Sequence, residues 1–507
     1  MIQGTQSDLT RRRAIKGILS LTAGVAGTAL LAACGGGAAA TTDTAATAGS
    51  AVLTATSSSA SSAPTTTAAT TTAATTTAAT SSAATSSAVT SSTSTTAAAT
   101  TSSTTAAATT STAATSSAKV AAAATGATGA IAKGSTIKIG IDLPITGADA
   151  SDGVPAENGA KLAIDQANAK GTVAGYKLEA TVLDDAVNGV HDPAQGARNT
   201  QQFIGDSATV AFVGPFNSNV AKVEIPISNE AGLAQISPSA TNEGLTKPQF
   251  GGLDLRKSNP TRIAFFRVCT TDDIQGPAGA DYALTKLNKK AAYIVDDNET
   301  YGKGVADNFE KEFTAKGGKV LGHDHLTKGQ TDFKSLLTKI KATNPDIVVY
   351  GGVSSTGGGL LRGQMPDAGL GSLPYLGFDG ISNTQFIKDA GSAADNCYYT
   401  VAAVNAAKIP AATQFITDYK AAYKADIGAY SANCFDAANI IIAAIAKAAA
   451  AGSVTREAVR ANVAATKDYK GVIGTTSFDE NGDTTNRIIS IYSISKGQTT
   501  FADQITA

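Results

Sequence analysis

What most limits the architecture open to this chain is a stretch that cannot fold. Residues 34–134 are almost entirely Ala, Thr, Ser and Gly, and their only charged side chains are Asp43, Lys119 and Lys133. No aromatic residue occurs before Tyr176. Such a segment buries too little apolar surface to offset the entropy of ordering it. Thr and Ser also compete for the backbone, so an isolated helix is not expected either. The segment reads as a disordered tether whose r.m.s. span as a coil is on the order of 50 to 60 Å. A packed structure is therefore confined to 135–507, where Phe, Tyr, spaced charges and turn residues return.

Ahead of the tether, Arg11, Arg12, Arg13 and Lys16 precede an apolar run over 18–33. That is the order of a signal peptide, and the run is too short to span a bilayer comfortably. It ends in LAACG at 31–35, which resembles the lipobox of bacterial lipoproteins, where the cysteine is lipidated and becomes the new N-terminus. The resemblance implies a signal peptide over 1–33, lipidation at Cys34, and a protein exported and held on the extracytoplasmic face of the cell membrane. The string TRRRAIK at 10–16 also resembles a twin-arginine signal, which leaves the export route open.

The formal net charge is −1. Residues 1–33 hold four basic side chains and one acidic one, so removing them takes 40 and 41 to 36 and 40, a net −4. A nucleic-acid partner is not expected of such a balance. Cys34, Cys269, Cys397 and Cys434 show no paired spacing of the zinc type.

From 135 onward the pattern alternates strand and helix. Residues 136–143 have the β-branched alternation of a strand; Ala160, Ala163, Ile164 and Ala167 recur at helical spacing; and 177–183 returns to a strand. Strands at 209–213 and 234–236 continue the series around a helix over about 218–230. A second series has a strand at 291–295, a helix with Val305, Phe309 and Phe313 on one face, a helix with Phe333, Leu336, Leu337 and Ile340, and a buried strand at 346–350. Repeated βαβ units predict an α/β fold of parallel sheets flanked by helices on both faces, with ligands at the carboxyl ends of the strands.

Within this frame stand TIKIGIDLPITG (136–147), NGAKLA (158–163), GPFNSN (214–219), ISPSATN (236–242), DNETYG (297–302), YGG (350–352) and GFDG (377–380). Together, and in this order, they resemble the leucine/isoleucine/valine-binding proteins over nearly all of 135–507. The resemblance implies a two-lobed type I periplasmic-binding-protein fold with an amino acid held between the lobes. Three hinge crossings would fall near 267–271, 398–402 and 472–476. One lobe would then hold 135–268 plus 401–472, the other 272–398 plus 475–507.

An amino acid presents a carboxylate and an ammonium, so its site needs hydroxyl or N–H donors for one and a fixed acid for the other. Ser218 follows a strand and opens a helix, where the dipole favours an anion. By the resemblance it meets the ligand carboxylate, with Ser239, Ala240 and Thr241 adding backbone and hydroxyl contacts. Asp379, in the Gly-rich turn after a short strand, matches an acid that faces the ammonium, and Tyr301 matches a tyrosine that closes over the ligand from the opposite lobe. On the residues alone, Ser218 and Thr241 are also good helix caps and Asp379 a good turn former. Two positions depart from the family: Val353 stands where a tyrosine is frequent and Asp152 where a bulky aromatic is frequent. Both would reshape the pocket for the ligand side chain, which puts a preference for branched aliphatic ligands in doubt.

No nucleophile elbow, phosphate loop, complete dinucleotide fingerprint or zinc-protease motif is present, and only His191, His323 and His325 could serve as imidazole bases, so no enzyme and no cofactor are expected. His323-Asp324-His325 places two rings on one face of a strand, but no third ligand is evident in the sequence and no metal is expected. Once Cys34 is lipidated, three pairings remain among Cys269, Cys397 and Cys434, and the pair nearest the crossings, Cys269 with Cys397, is favoured. The role expected is that of the monomeric receptor of an ABC importer, working with separate permease and ATPase subunits. The alternative is a ligand-sensing receptor that uses the same lobes without transport.

Overall fold

The computed structural model describes residues 129–507; the signal peptide, Cys34 and the tether lie outside the described residues. Strand β1 (Thr136–Leu143) buries Ile137, Ile139, Ile141 and Leu143 completely, as a central strand covered on both faces should. Helix α1 (Ala150–Lys170) follows, closed by Gly171 at φ 61°, then β2 (Lys177–Asp184). A short ribbon, β3 (Ala186–Val187) with β4 (Val190–His191), leads to α2 (Pro193–Gly205). That helix starts on Asp192, whose carboxylate accepts the Gln195 N–H at 2.8 Å, with Pro193 at its first position. The series continues with β5 (Thr209–Val213), α3 (Ser218–Ala231), β6 (Ala234–Ser237) and β7 (Phe265–Arg267). These strands form sheet A, parallel throughout, in the order β2-β1-β5-β6-β7.

The chain next builds α4 (Asp272–Thr285), β8 (Ala291–Asp296), α5 (Thr300–Ala315), β9 (Lys319–His325), α6 (Lys334–Thr343), β10 (Ile347–Gly351), α7 (Gly358–Gln364), β11 (Tyr375–Gly377), α8 (Thr384–Ala390) and β12 (Cys397–Val401). It then returns to sheet A with α9 (Thr413–Tyr423), α10 (Ser431–Ala450) and α11 (Arg456–Ala464). A hairpin, β13 (Tyr469–Gly471) and β14 (Gly474–Thr476), follows before β15 (Ile488–Ser495) and β16 (Gln498–Thr506). Sheet B has the order β16-β15-β12-β11-β10-β8-β9; β8 to β12 are parallel, and β15 and β16 extend the sheet antiparallel. Helix α10 is long and apolar enough to cross a membrane, yet Ile441, Ala437 and Ile445 are fully buried in the core shared by α1 and sheet A.

Two details differ from the sequence reading. The third crossing, expected near 472–476, comes later. Phe478 packs on Phe266 with ring centroids 5.0 Å apart, and buried Asp483 pairs with Arg267 at 2.7 Å and accepts from Thr246 at 3.0 Å. Residues 478–484 thus stay on sheet A, because the guanidinium of Arg267, itself 0% exposed, needs that carboxylate as its counter-charge. Cys269 and Cys397, the favoured pair, are both free, as is Cys434; each is buried and packs as a small apolar side chain.

Candidate ligand-binding site

Doubly wound sheets gather ligands where successive connections leave in opposite directions. In sheet A that point lies between β1 and β5, and in sheet B between β8 and β10. The loops after these strands, with those after β6 and β11, carry the polar residues that follow.

On the side of sheet A, Ser218 is the first residue of α3 and is buried; its Oγ accepts the Asn242 N–H at 3.2 Å, which ties the helix start to the loop after β6. In that loop Ser237 Oγ accepts the N–H groups of Ser239 and Ala240 at 3.3 and 2.9 Å, and Ser239 Oγ donates to the Phe216 carbonyl at 2.9 Å. The Ala240 N–H is taken by Ser237, and its carbonyl accepts from Arg267 at 2.8 Å. Thr241 Oγ1, by contrast, makes no hydrogen bond of normal geometry, although the buried Asp272 carboxyl stands beside it.

On the side of sheet B, Asp379 begins the turn after β11. Its Oδ1 accepts from Gln275 at 2.6 Å and from the Tyr301 hydroxyl at 2.9 Å, and its Oδ2 accepts from the Tyr430 hydroxyl at 3.1 Å. Burial raises the Asp379 carboxyl above its ordinary range, and the three hydrogen bonds work against that rise. Tyr301 reaches this point because α5 starts hard against the end of β10. A Cβ on Gly302 would lie 2.5 Å from the Gly351 carbonyl oxygen, and one on Gly351 2.2 Å from that of Gly302. The Tyr301 hydroxyl also accepts the Gly380 N–H at 3.1 Å.

The two sides meet. Tyr430, just before α10, packs edge-on against Phe216 with centroids 5.6 Å apart, so sheet A's loops touch the ring whose hydroxyl binds Asp379. Asp152, in the first turn of α1, accepts from Asn383 of sheet B at 2.6 Å, and Asn383 in turn accepts from Ser354 at 2.9 Å. Burial, with repulsion from Asp149 and Asp379, drives the Asp152 carboxyl well above its usual range, opposed only by the Asn383 bond. Val353 follows β10; its N–H points to Thr356 Oγ1 at 3.2 Å and Asp297 Oδ2 at 3.3 Å.

A charged bridge closes the same boundary. His191 Nδ1 lies 2.8 Å from Asp149 Oδ2 and its Nε2 2.6 Å from Glu299 Oε2, which also accepts from Asn219 at 2.9 Å. Burial alone would lower the His191 pKa, but the two carboxylates raise it to about 10. The ring is therefore an imidazolium at neutral pH, with both nitrogens engaged, and cannot act as a base. Gln275, Tyr430, Asn383 and the His191 bridge escaped the sequence reading. Each is distant in sequence from its partner, and only Tyr430 leaves a trace, as an aromatic directly before a helix. What the arrangement can do is hold a cation at Asp379 and accommodate an anion at the Ser218 and Thr241 hydroxyls.

Comparison with known proteins agrees with this architecture. The periplasmic binding protein family model matches residues 136–499. A Leu/Ile/Val-binding protein of Rhizobium johnstonii is 34% identical over 370 residues, 72% of this chain and 94% of that protein. The branched-chain amino acid transporter substrate-binding protein LivJ of Streptococcus pneumoniae, solved with isoleucine, is 28% identical with a TM-score of 0.64, covering 73% of this chain and 100% of that one. The leucine-binding protein LivK of Thermotoga maritima is 25% identical, also at 0.64, covering 73% and 99%. These matches describe binding proteins rather than enzymes, and the chain belongs to the periplasmic binding protein family.

Proposed function

We propose that this protein is the extracytoplasmic receptor of an ABC importer and captures a free amino acid between sheets A and B. The observation that carries the reading is the Asp379 carboxylate: it is 7% exposed and held by three side-chain donors, none of which bears a charge. Buried charge of this kind calls for a counter-ion, and a ligand ammonium supplies it. The ligand carboxylate falls to the hydroxyls of Ser218 and Thr241, beside the positive end of the α3 dipole. Tyr301 closes over the ligand, while Asp152 and Val353 bound the end that receives its side chain. The relatives named for leucine, isoleucine and valine support an amino acid as the class. Cys34 as a lipid anchor, and separate permease and ATPase subunits, complete the proposal.

A thermal-shift series tests it with free amino acids beside the matching α-amides and decarboxylated amines. At a hundredfold excess over Kd a ligand adds about 2.7 kcal/mol to folding stability, a readable rise in melting temperature. Free amino acids are expected to raise it, and the amides and amines are not. Equal shifts with the decarboxylated amines would remove the Ser218 and Thr241 assignment, and no shift with any amino acid would remove the ligand class.

A further inference from the structure

At the far edge of sheet B, β9 ends in His323-Asp324-His325. Alternation turns Asp324 to one face, where it accepts from the Tyr293 hydroxyl at 2.6 Å and pairs with Lys339 at 2.8 Å. The two histidines turn to the other face and meet the last residue of β8. Asp296 stands opposite His325 in the parallel register. His323 Nε2 lies 2.8 Å from Asp296 Oδ2, and His325 Nδ1 lies 2.7 Å from Asp296 Oδ1. One donor atom from each of the three residues falls within 4.8 Å of the others.

We propose that Asp296, His323 and His325 form a binding site for a borderline divalent transition metal such as Zn2+. Three features argue for this over a simple ion-paired surface. The histidines aim different nitrogens, Nε2 and Nδ1, at one carboxylate, so the donors converge on a point instead of stacking along the strand. The other nitrogen of His323 lies 2.6 Å from Glu310 Oε2 on α5. A carboxylate behind a histidine in this way fixes the ring and raises its basicity as a metal ligand. Exposure is also graded as an open site requires: Asp296 is 0% exposed at its side chain, His323 15% and His325 45%, which leaves one side for water or an incoming ion. Two imidazoles and one carboxylate suit Zn2+, Co2+, Ni2+ or Cu2+ and are poor for Ca2+ or Mg2+. To reach bond lengths of about 2.0 to 2.2 Å around one ion, the donors need to separate by roughly half an ångström, within the reach of side-chain rotation. The ion would cross-link β8 to β9 at the root of the loop that carries Asp297 and Glu299.

Equilibrium dialysis of the untagged full chain, stripped with a chelator and then titrated with Zn2+ alone, tests the site. One Zn2+ per chain is expected to be lost in His325→Ala, a substitution at a half-exposed position, and bound about 10- to 100-fold more weakly by Glu310→Gln. Co2+ in place of Zn2+ is expected to give visible absorption bands that disappear in His325→Ala. A thermal melt of each variant without metal checks folding. If the folded His325→Ala chain keeps its Zn2+ within tenfold of the parent affinity, or if the parent takes up none, the proposal is overturned; a loss of tenfold or more sustains it. Because the cluster is separate from Asp379 and Ser218, the result stands whatever ligand the cleft takes.

Discussion

Two acids at the boundary between the sheets, the buried Asp379 and the half-buried Asp152, are furnished very differently. Asp379 is gripped by Gln275 from α4, Tyr301 from α5 and Tyr430 from the chain before α10. Asp152 has the single donor Asn383 and is repelled by two neighbouring carboxylates, Asp149 and Asp379. Burial raises both carboxyls; at Asp152 repulsion from Asp149 and Asp379 adds to the rise, whereas at Asp379 three hydrogen bonds oppose it. The same residue type is thus held by three neutral donors in one place and by a single donor beside two other carboxylates in the other.

The comparison can be probed first where charge joins the two sides. His191→Gln leaves Asp149 and Glu299 facing each other without the imidazolium, and breaking a buried pair of this kind costs about 3 to 5 kcal/mol. Denaturant unfolding of the ligand-free chain measures it. The pH dependence follows from the raised pKa. The folded state holds the proton more tightly than the unfolded chain, so the contribution is complete below the unfolded value of 6.5 and declines as pH rises toward about 10. At the acid end the Asp149 carboxyl, buried yet held below its ordinary range by His191, keeps its share above 3.8 and loses it as pH falls further. A pH profile of unfolding that is flat from 6 to 10 would contradict the bridge.

Asp379→Asn is expected to weaken amino-acid binding by roughly 2 to 5 kcal/mol, since the ammonium would be left buried and unpaired. Calorimetric titration reads this directly, and near-parent affinity would show that the ligand is held in another way. Ser218→Ala should cost less, about 1 to 3 kcal/mol for one hydrogen bond to a charged group. The sharpest contrast is Asp152→Asn, which changes no charge if the acid is protonated. Its effect is expected to stay within about 1 kcal/mol, and a loss as large as that of Asp379→Asn would erase the distinction between the two acids.

How much of this could be read from the sequence depends on range. Strand β1 and helix α3 follow from local spacing, because Ile137, Ile139 and Ile141 alternate and α3 starts after a turn. Ser218, Tyr301 and Asp379 stand just beyond strand ends, where the winding of such sheets directs attention. Their partners were not legible. Gln275 lies 104 residues from Asp379 and Tyr430 lies 51 away, and nothing in local periodicity links such pairs. The internal bonds of Ala240 were equally hidden: its N–H goes to Ser237, and its carbonyl accepts from Arg267, 27 residues on. The late third crossing was hidden for the same reason: Asp483 belongs to Arg267, 216 residues earlier.

That late crossing has a consequence for the order of events in synthesis. Sheet A's core stays open until α10, α11 and the stretch through Asp483 have been made, and sheet B lacks its last two strands until residues 488–506 follow. Neither half can be finished while the C-terminal end is still on the ribosome or in an export channel. Contacts spanning more than two hundred residues make folding slow and leave apolar surface exposed while it proceeds. Removing a few dozen residues from the C-terminus should therefore cripple both halves at once, although it touches neither Asp379 nor Ser218.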